Sequence, residues 1–538
     1  MSPQFDVIVI GSGPAGTHAS YPLVQAGLRV AMIDGGNQSV EQPPSAETFE
    51  EARLAHADQH RLFLGEDFSG IPLDAMGVGT RGSIVSGRRS YVVADTDALL
   101  PIRLNGIRLF QTLARGGLGA VWGGVCAYYA AAELEAMGLP AAEMERHYDV
   151  VTERIGVSGP QTRPGIQPPF RVDHHAQLLL GAYERKRSAF DELELGLSQP
   201  HSAVLTRELA GRRSAAYRDL EYWSDTDRTV YRPQFTLEEL ERHENFSYFG
   251  GRLVQRVQQR ADDCCVHSVA AFEAGRGGPP SLTGRRVIVA AGAVGSARIL
   301  LRSLGLYERP IPFLGKPHWL TACLHPRTLG RAGAKARLSL CQLLLSDTKR
   351  QRPEDHLSAG YAQLYSYKSL GLIRMLGFVP ASGPEALGLL ALLVPSLVIA
   401  DIRFPVVRRA SRFMKLCRDA DGSDWVQLEA SSEPEEFRAS RDSLQRLTSG
   451  LRELGLLPLK RKELPYGASA HYGGTIPCAP ASAAEVLSVD ESGKLHQATH
   501  IYVADSSTFR FLPAKSINMT IMANANRVGE RVRDSLSS

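Results

Sequence analysis

The chain has 538 residues, a formal net charge of +4, 43% hydrophobic and 22% charged residues. This length allows a large core and two domains, and the composition is typical of a globular protein in water. The small net charge gives no reason to expect a nucleic-acid-binding surface. The seven cysteines are scattered without CxxC or Cys/His spacing, which predicts reduced thiols, no metal site and a cytoplasmic protein.

The first thirty-six residues contain the strongest motif. The apolar run 7–10 predicts a buried parallel strand, a glycine turn follows, and residues 17–26 predict a helix that stops at Gly27. A second apolar run, 30–33, leads to Asp34 and Gly35. Since the first apolar run is already this strand, no cleavable signal peptide is expected. The turn consists of Gly11, Ser12, Gly13, Pro14, Ala15 and Gly16.

This strand, turn, helix, strand and acid predict a dinucleotide site. Gly11 allows the tight turn, Gly13 the approach of a pyrophosphate, and Gly16 close packing of helix on strand. The pyrophosphate would lie at the positive N-terminus of the helix, and Asp34 would accept hydrogen bonds from ribose hydroxyls. A βαβ unit without a ligand is the alternative, and this stretch alone does not distinguish FAD from NAD.

Three further segments have the composition of cofactor-contacting chain. The loop 115–124 carries five glycines around Trp122, so its backbone can approach a flat ligand, although it could equally pack on its own core. Short strands are predicted at 246–249, 253–257 and 266–272. Residues 286–301 then predict a buried strand, a glycine turn and an amphipathic helix.

The last seventy residues place polar groups at turns. His471 lies on a glycine-rich turn, and the strand 501–505 ends at Asp505 and Ser506. Asn518 stands at the start of a helix that runs through Val532, so the positive end of this helix points at whatever lies before it.

In the order and spacing of these four motifs the chain resembles the glucose-methanol-choline (GMC) family of FAD-dependent oxidoreductases, over a quarter to a third of its length. The resemblance implies an α/β fold with a Rossmann-like FAD-binding domain assembled from discontinuous segments and an interleaved α+β substrate domain. It further implies that His471 and Asn518 are the catalytic pair. The implied FAD contacts are Gly11, Ser12, Gly13, Pro14, Ala15, Gly16, Asp34, Gly35, Gly116, Gly117, Gly119, Trp122, Val254, Ala291, Gly292, Asp505, Ser506, Met519 and Thr520.

Two positions depart from the family pattern. Asn518 is followed by Met519 where the family has proline, which removes a rigid first helical residue but keeps the amide. Some members attach FAD covalently through a histidine of the middle glycine loop, and that position is Val121 here. Non-covalent FAD is therefore expected.

The motifs also suggest domain boundaries. The FAD-binding domain is expected to comprise residues 1–60, 101–135, 246–315 and 466–538. Residues 61–100 would form a lid or a subunit contact, and the substrate-binding domain would comprise 136–245 and 316–465, which contain no recognisable motif.

The run 386–400 has no charged residue and is flanked by basic residues through Lys415. It is too short for a comfortable transmembrane helix and is interrupted by Pro395. One interpretation is a buried helix beside a solvated basic surface. The other is peripheral membrane contact through residues 386–415, at an anionic membrane surface or a lipid-linked substrate.

These observations predict oxidation of a primary or secondary alcohol to an aldehyde or ketone. His471 would take the hydroxyl proton and Asn518 would hold the alcohol oxygen, while hydride passes to the flavin. A sugar, polyol or glycoside substrate is favoured, with a lipid-like, terpenoid or lipid-linked alcohol as the alternative. A redox-inactive flavoprotein with a binding role is a further alternative. The electron acceptor (oxygen, a quinone or a redox protein) is left open.

Overall fold

A computed structural model describes residues 4–39, 87–217, 225–272, 279–329, 340–348, 359–366, 382, 385, 396–431, 434–483 and 485–537. Its strands are β1 (Phe5–Ile10), β2 (Val30–Ile33), β3 (Ile102–Asn105), β4 (Val125–Cys126), β5 (Leu195–Ser198), β6 (His201–Ser202), β7 (Phe246–Phe249), β8 (Arg252–Gln259), β9 (Cys264–Ala270), β10 (Ser281–Val289), β11 (Ile311–Pro312), β12 (Leu314–Gly315), β13 (His318–Leu324), β14 (Leu343–Asp347), β15 (Tyr361–Ser366), β16 (Leu397–Arg403), β17 (Arg412–Arg418), β18 (Asp424–Ala430), β19 (Leu457–Glu463), β20 (Tyr472–Gly473) and β21 (Ile501–Val503).

The α-helices are α1 (Pro14–Gln25), α2 (Thr96–Leu99), α3 (Ala131–Met137), α4 (Ala141–Ile155), α5 (His174–Arg185), α6 (Arg187–Glu192), α7 (Pro233–Leu240), α8 (Gly292–Ser303), α9 (Pro434–Glu453) and α10 (Asn518–Ser537). Short 3₁₀ turns lie at Gly87–Val92, Gly117–Val121, Pro326–Thr328 and Ser506–Thr508.

The first sheet combines segments from both ends of the chain. Its strand order is β7-β2-β1-β10-β9-β8, and the second half of β10 also pairs with β21. The pairs among β7, β2, β1, β10 and β21 are parallel, whereas β8 and β9 form an antiparallel extension. The discontinuous α/β fold expected from the motifs is confirmed.

Both faces of this sheet are buried. Successive side chains of β1 point to opposite faces, and each set packs against other elements. Val7 and Val9 pack on the side of α1 and α10. Ile8 and Ile10 pack on the side of α8 and of the strands β17 and β18. This double burial explains why β1 and β2 are continuous apolar runs in the sequence.

A second, antiparallel sheet has the order β19-β13-β16-β15-β14-β5. Helices α5 and α9 pack on it through a separate apolar cluster that includes Leu179 and Leu447. A smaller, four-stranded sheet has the order β11-β17-β18-β3. The second sheet positions the side chains that face His471.

The expectation of a helix over 386–400 is wrong where the structure describes this run. Residues 397–400 belong to β16, which pairs with β13 and β15 and is buried on both faces. A short uninterrupted apolar run is equally compatible with a helix and with a central strand. Residues 386–395 lie outside the described part of the chain.

The basic residues after this run are mostly bound within the protein. Arg408 pairs with Glu485, and Lys415 pairs with Glu308. In the part of the chain that the structure describes, no helix is both long and apolar enough to span a membrane.

Helices from the segment 131–240 pack on the first sheet's core. Leu134, Tyr148 and Leu237, from α3, α4 and α7, belong to the same apolar cluster as β1. We propose that the cofactor domain includes these helices and that the substrate domain is centred on the second sheet. Of the expected lid, residues 61–86 lie outside the described range.

Candidate active site

The turn between β1 and α1 depends on two glycines. Gly11 has φ +101°, and a Cβ added there would lie 2.6 Å from the carbonyl oxygen of Ala290 at the end of β10. A Cβ added at Gly16 would lie 1.8 Å from the carbonyl oxygen of Gly11. Any side chain at Gly16 would therefore separate the helix from the turn that starts it.

Asp34 is held by donors from three parts of the chain. Its Oδ2 accepts from Ser12 Oγ at 2.5 Å, from the Gly36 N–H at 3.1 Å and from Tyr248 OH at 3.2 Å. Ser12 Oγ in turn accepts from the Gly116 N–H at 2.8 Å. Burial raises the pKa of the Asp34 carboxyl, and these hydrogen bonds act against that rise. A single serine hydroxyl thus connects the acid to the middle glycine loop.

The glycine turn opens into a cavity of about 430 Å³ that runs along the carboxyl ends of the parallel strands. The cavity brings together residues from all four sequence motifs. The sequence-predicted site residues that line it are Gly11, Ser12, Gly13, Pro14, Ala15, Asp34, Gly35, Gly117, Gly119, Val254, Ala291, Gly292, Asp505, Ser506 and Asn518.

Five expected cofactor contacts are not among the residues that line this cavity. Gly16 packs against the turn itself, and Gly116 lies against the side chain of Gln234. Trp122 donates from Nε1 to the Tyr231 carbonyl at 2.6 Å. Met519 is fully buried, and the hydroxyl of Thr520 is 2.8 Å from Tyr148 OH. In this structure these residues support the wall.

Other lining residues were not among the site residues predicted from the sequence. Leu99, Leu100 and Pro101 close one side of the cavity, and Arg298 lies on α8 with Nη2 donating to the Pro101 carbonyl at 2.8 Å. Residues 99–101 come from a segment without a motif, and only the tertiary fold brings them to the cavity, whereas Arg298 belongs to the helix predicted within 286–301.

Asp505 joins two turns beneath the cavity. Its Oδ2 accepts from the Gly292 N–H at 2.8 Å and from Ser296 Oγ at 2.5 Å. Its Oδ1 accepts from the Ser507 N–H at 2.9 Å. Burial raises its pKa, opposed by these bonds. Asp505 thereby fixes the N-terminus of α8 against the chain that follows β21.

His471 lies between two residues that line the cavity, Ala470 and Tyr472. Its carbonyl accepts from the Lys316 N–H at 3.1 Å, and its Nδ1 is 3.4 Å from Arg403 Nη1. Burial, with the positive charges of Lys316 and Arg403, lowers the pKa of His471 well below its usual range. The ring is therefore neutral at neutral pH.

A polar cluster on the second sheet surrounds His471. Arg403 donates to Asp401 Oδ2 from Nε at 3.1 Å and from Nη2 at 2.6 Å. Lys316 is fully buried and donates from Nζ to the Lys515 carbonyl at 2.6 Å, and burial lowers its pKa well below the usual range. No sequence motif indicates this cluster, since its members do not form a recognisable pattern in the chain.

The geometry fits a bound dinucleotide. The turn residues and the N-terminus of α1 form one end of the cavity, and the buried carboxylate of Asp34 lies beside them. Ser506 and the start of α10 form another part of the same cavity. With Asn518 and both neighbours of His471 on its lining, this arrangement fits the class of flavin-dependent oxidoreductases.

Comparison with known proteins places the chain within this class. Residues 5–88 match the pyridine nucleotide-disulphide oxidoreductase family, and residues 405–525 match the GMC oxidoreductase family. These matches support the resemblance to GMC oxidoreductases, and the predicted cofactor and enzyme class are confirmed.

Three relatives are similar over nearly the whole chain. Paromamine 6'-oxidase from Streptomyces fradiae is 25% identical over 555 aligned positions, covering 99% of this chain and 92% of the relative. Pyridoxine 4-oxidase from Mesorbium loti is 14% identical, with a TM-score of 0.56 and 99% coverage of both chains. An FAD-dependent oxidoreductase from Chaetomium thermophilum is 12% identical, with a TM-score of 0.58 and coverage of 99% and 100%.

Proposed function

We propose that this enzyme oxidises a CH–OH group of a polar, sugar-like or polyol small molecule to an aldehyde or ketone. The observation that carries the proposal is the placement of Asn518 and of both neighbours of His471 on the cavity that begins at the glycine turn. The GMC family match and the similar oxidases support the general class, an oxidoreductase that acts on alcohol-type substrates. The substrate class and the residue roles are our inference.

FAD would be held at its ADP end by the glycine turn and Asp34, and at its flavin end by Ser506 and the start of α10. When bound, FAD supplies the acceptor for the hydride that leaves the carbinol carbon. The remaining task for the protein is to hold the hydroxyl oxygen and to receive its proton. The alcohol thereby loses one hydride and one proton and becomes a carbonyl compound.

His471 would accept the hydroxyl proton. A base must be uncharged before the reaction, and the lowered pKa of His471 keeps it so at neutral pH. The same burial and positive surroundings disfavour the imidazolium, so the proton has to leave His471 before the next turnover.

Asn518 would donate from its side-chain amide to the substrate oxygen. It is the first residue of α10, so the positive end of that helix adds to the stabilisation of negative charge on the oxygen. An amide cannot remove a proton, which leaves that role to His471.

The polar substrate class is better supported than the lipid-like one. A relative over 99% of the chain bears the name paromamine 6'-oxidase. Support for a membrane-associated substrate is weakened, since residues 397–400 form an interior strand and two of the basic residues after them form ion pairs. The cytoplasmic location remains a prediction.

The test is anaerobic bleaching of the flavin in the purified holoenzyme. We expect bleaching by members of a panel of sugars, polyols and glycosides, and recovery of the yellow colour when air or a quinone analogue is admitted. Bleaching only by long-chain or terpenoid alcohols in micelles would favour the lipid-like class. If no alcohol in either panel bleaches the flavin, the proposal is wrong.

A separate prediction concerns attachment of the cofactor. At Val121 a buried aliphatic side chain packs near Val92 and Ala114 and offers no nucleophile. Acid precipitation should therefore release all of the flavin into the supernatant, with none left on the pellet by absorbance. Flavin that stays with the denatured chain would contradict non-covalent binding.

A further inference from the structure

Arg403 is fixed in place by its own strand. On β16, Asp401 and Arg403 lie on the same face because side chains alternate, and the carboxylate accepts from both Nε and Nη2 of the guanidinium. The side chain of Arg403 is about one-eighth exposed. With two of its nitrogens committed to Asp401, the remaining terminal nitrogen, Nη1, lies 3.4 Å from His471 Nδ1.

In this contact only Arg403 can donate the hydrogen bond. A guanidinium carries five N–H donors and no acceptor, and it stays charged at any pH at which the protein is folded. The Asp401 carboxylate strengthens that charge by raising the pKa of Arg403 further. Nδ1 of His471 must therefore accept, and a neutral ring that accepts at Nδ1 carries its hydrogen on Nε2.

We propose that Arg403 is a positioning residue that holds the resting His471 ring with its hydrogen on Nε2. The inference rests on the proposed function and adds a condition for proton transfer to His471. For His471 to take the hydroxyl proton at Nε2, its ring hydrogen must first sit on Nδ1, by exchange with water. This exchange requires the Arg403 contact to open.

The positive groups around His471 all lower its pKa. Lys316, His318 and Arg403 oppose a positive ring, and Asp401 is committed to Arg403. Of these, Arg403 is the group in contact with a ring nitrogen. Lys316 has the larger charge effect on the pKa of His471, whereas Arg403 also determines which ring nitrogen carries the hydrogen.

The test compares Arg403→Met with the wild-type holoenzyme by ¹⁵N NMR of histidine-labelled protein, with His471→Gln to assign the signal. In the wild type we expect the neutral ring with hydrogen on Nε2 and no titration near neutral pH, because the pKa of His471 is lowered by burial and by the positive groups around it. In Arg403→Met the preference between the two nitrogens should be lost, and the midpoint of His471 titration should rise by about one pH unit or more. Where an alcohol substrate has been found, the acidic limb of the bleaching rate should rise by the same amount.

Arg403→Lys keeps the positive charge but loses the planar guanidinium. The midpoint of His471 titration should therefore stay low, while the preference for the ring hydrogen on Nε2 weakens. Arg408→Met is the matched control, because it removes a nearby arginine paired with Glu485 instead of His471. It should leave the His471 signal unchanged. If Arg403→Met fails to fold because Asp401 is left unpaired, the double variant Asp401→Asn/Arg403→Met removes both charges and gives the same readout.

A wild-type ring with hydrogen on Nδ1, or an unchanged His471 signal in both Arg403→Met and the double variant, would overturn the inference. The NMR readout does not need turnover. A protein whose flavin no alcohol bleaches, but whose His471 signal responds to Arg403, would contradict the proposed function and leave the positioning role intact.

Discussion

His471→Ala should leave a yellow, folded protein whose flavin is reduced by substrate about 10²–10⁴-fold more slowly than in the wild type, the range typical of a lost general base. The side chain does not line the cofactor cavity, whereas its neighbours Ala470 and Tyr472 do. FAD content should therefore be unchanged. The measurement is the anaerobic bleaching rate in a stopped-flow instrument, with flavin content determined on the same sample.

His496→Ala is the control for this variant. His496 is an exposed histidine whose Nε2 lies 2.8 Å from the Ala479 carbonyl, away from the cavity. It should bleach at the wild-type rate. Wild-type bleaching by His471→Ala as well would remove the basis for His471 as the proton acceptor.

Gly16→Ala should abolish FAD binding and destabilise the fold by about 3 kcal/mol or more, at the upper end for overpacking. The added methyl would lie 1.8 Å from the Gly11 carbonyl oxygen, and the backbone there cannot move without disturbing the contact between Gly11 and Ala290. The measurements are flavin content after purification and the midpoint of denaturant unfolding.

Gly123→Ala is the matched control, since it makes the same chemical change in the middle glycine loop. A Cβ at Gly123 meets no atom within 4 Å, and its backbone is not in the left-handed region. FAD content and unfolding midpoint should stay close to the wild type. Normal FAD content in Gly16→Ala would mean that the turn tolerates separation of helix and strand.

The elements that could be predicted from sequence are those whose local pattern has one structural solution. The strand, glycine turn and helix at 5–25 are one such case, and the strand, glycine turn and helix over 286–301 are another. The run at 397–400 was not predictable, because a fully apolar segment fits a helix as well as an interior strand. Its pairing with β13 and β15 decides the matter, and those partners are distant in sequence.

The same distinction holds for the site. Ser12, Asp34 and Asp505 belong to motifs in which spacing implies geometry, so they could be named in advance. Lys316 and Arg403 are single basic residues in unremarkable surroundings, and their proximity to His471 comes from the pairing of β12 with β20 and of β13 with β16. Contacts of this kind are a property of the assembled sheets.

The position of β21 and α10 in the chain has a consequence for biosynthesis. β1 and α1 leave the ribosome first, yet β10 completes its pairing only with β21, and the apolar side of α1 is covered by α10, the last helix. A newly made N-terminal half therefore exposes an unfinished parallel sheet until β21 and α10 have been made. Parallel pairing between such distant segments folds slowly and is prone to aggregate while incomplete. The cavity that would hold FAD is likewise incomplete until the chain after β21 and the start of α10 are in place.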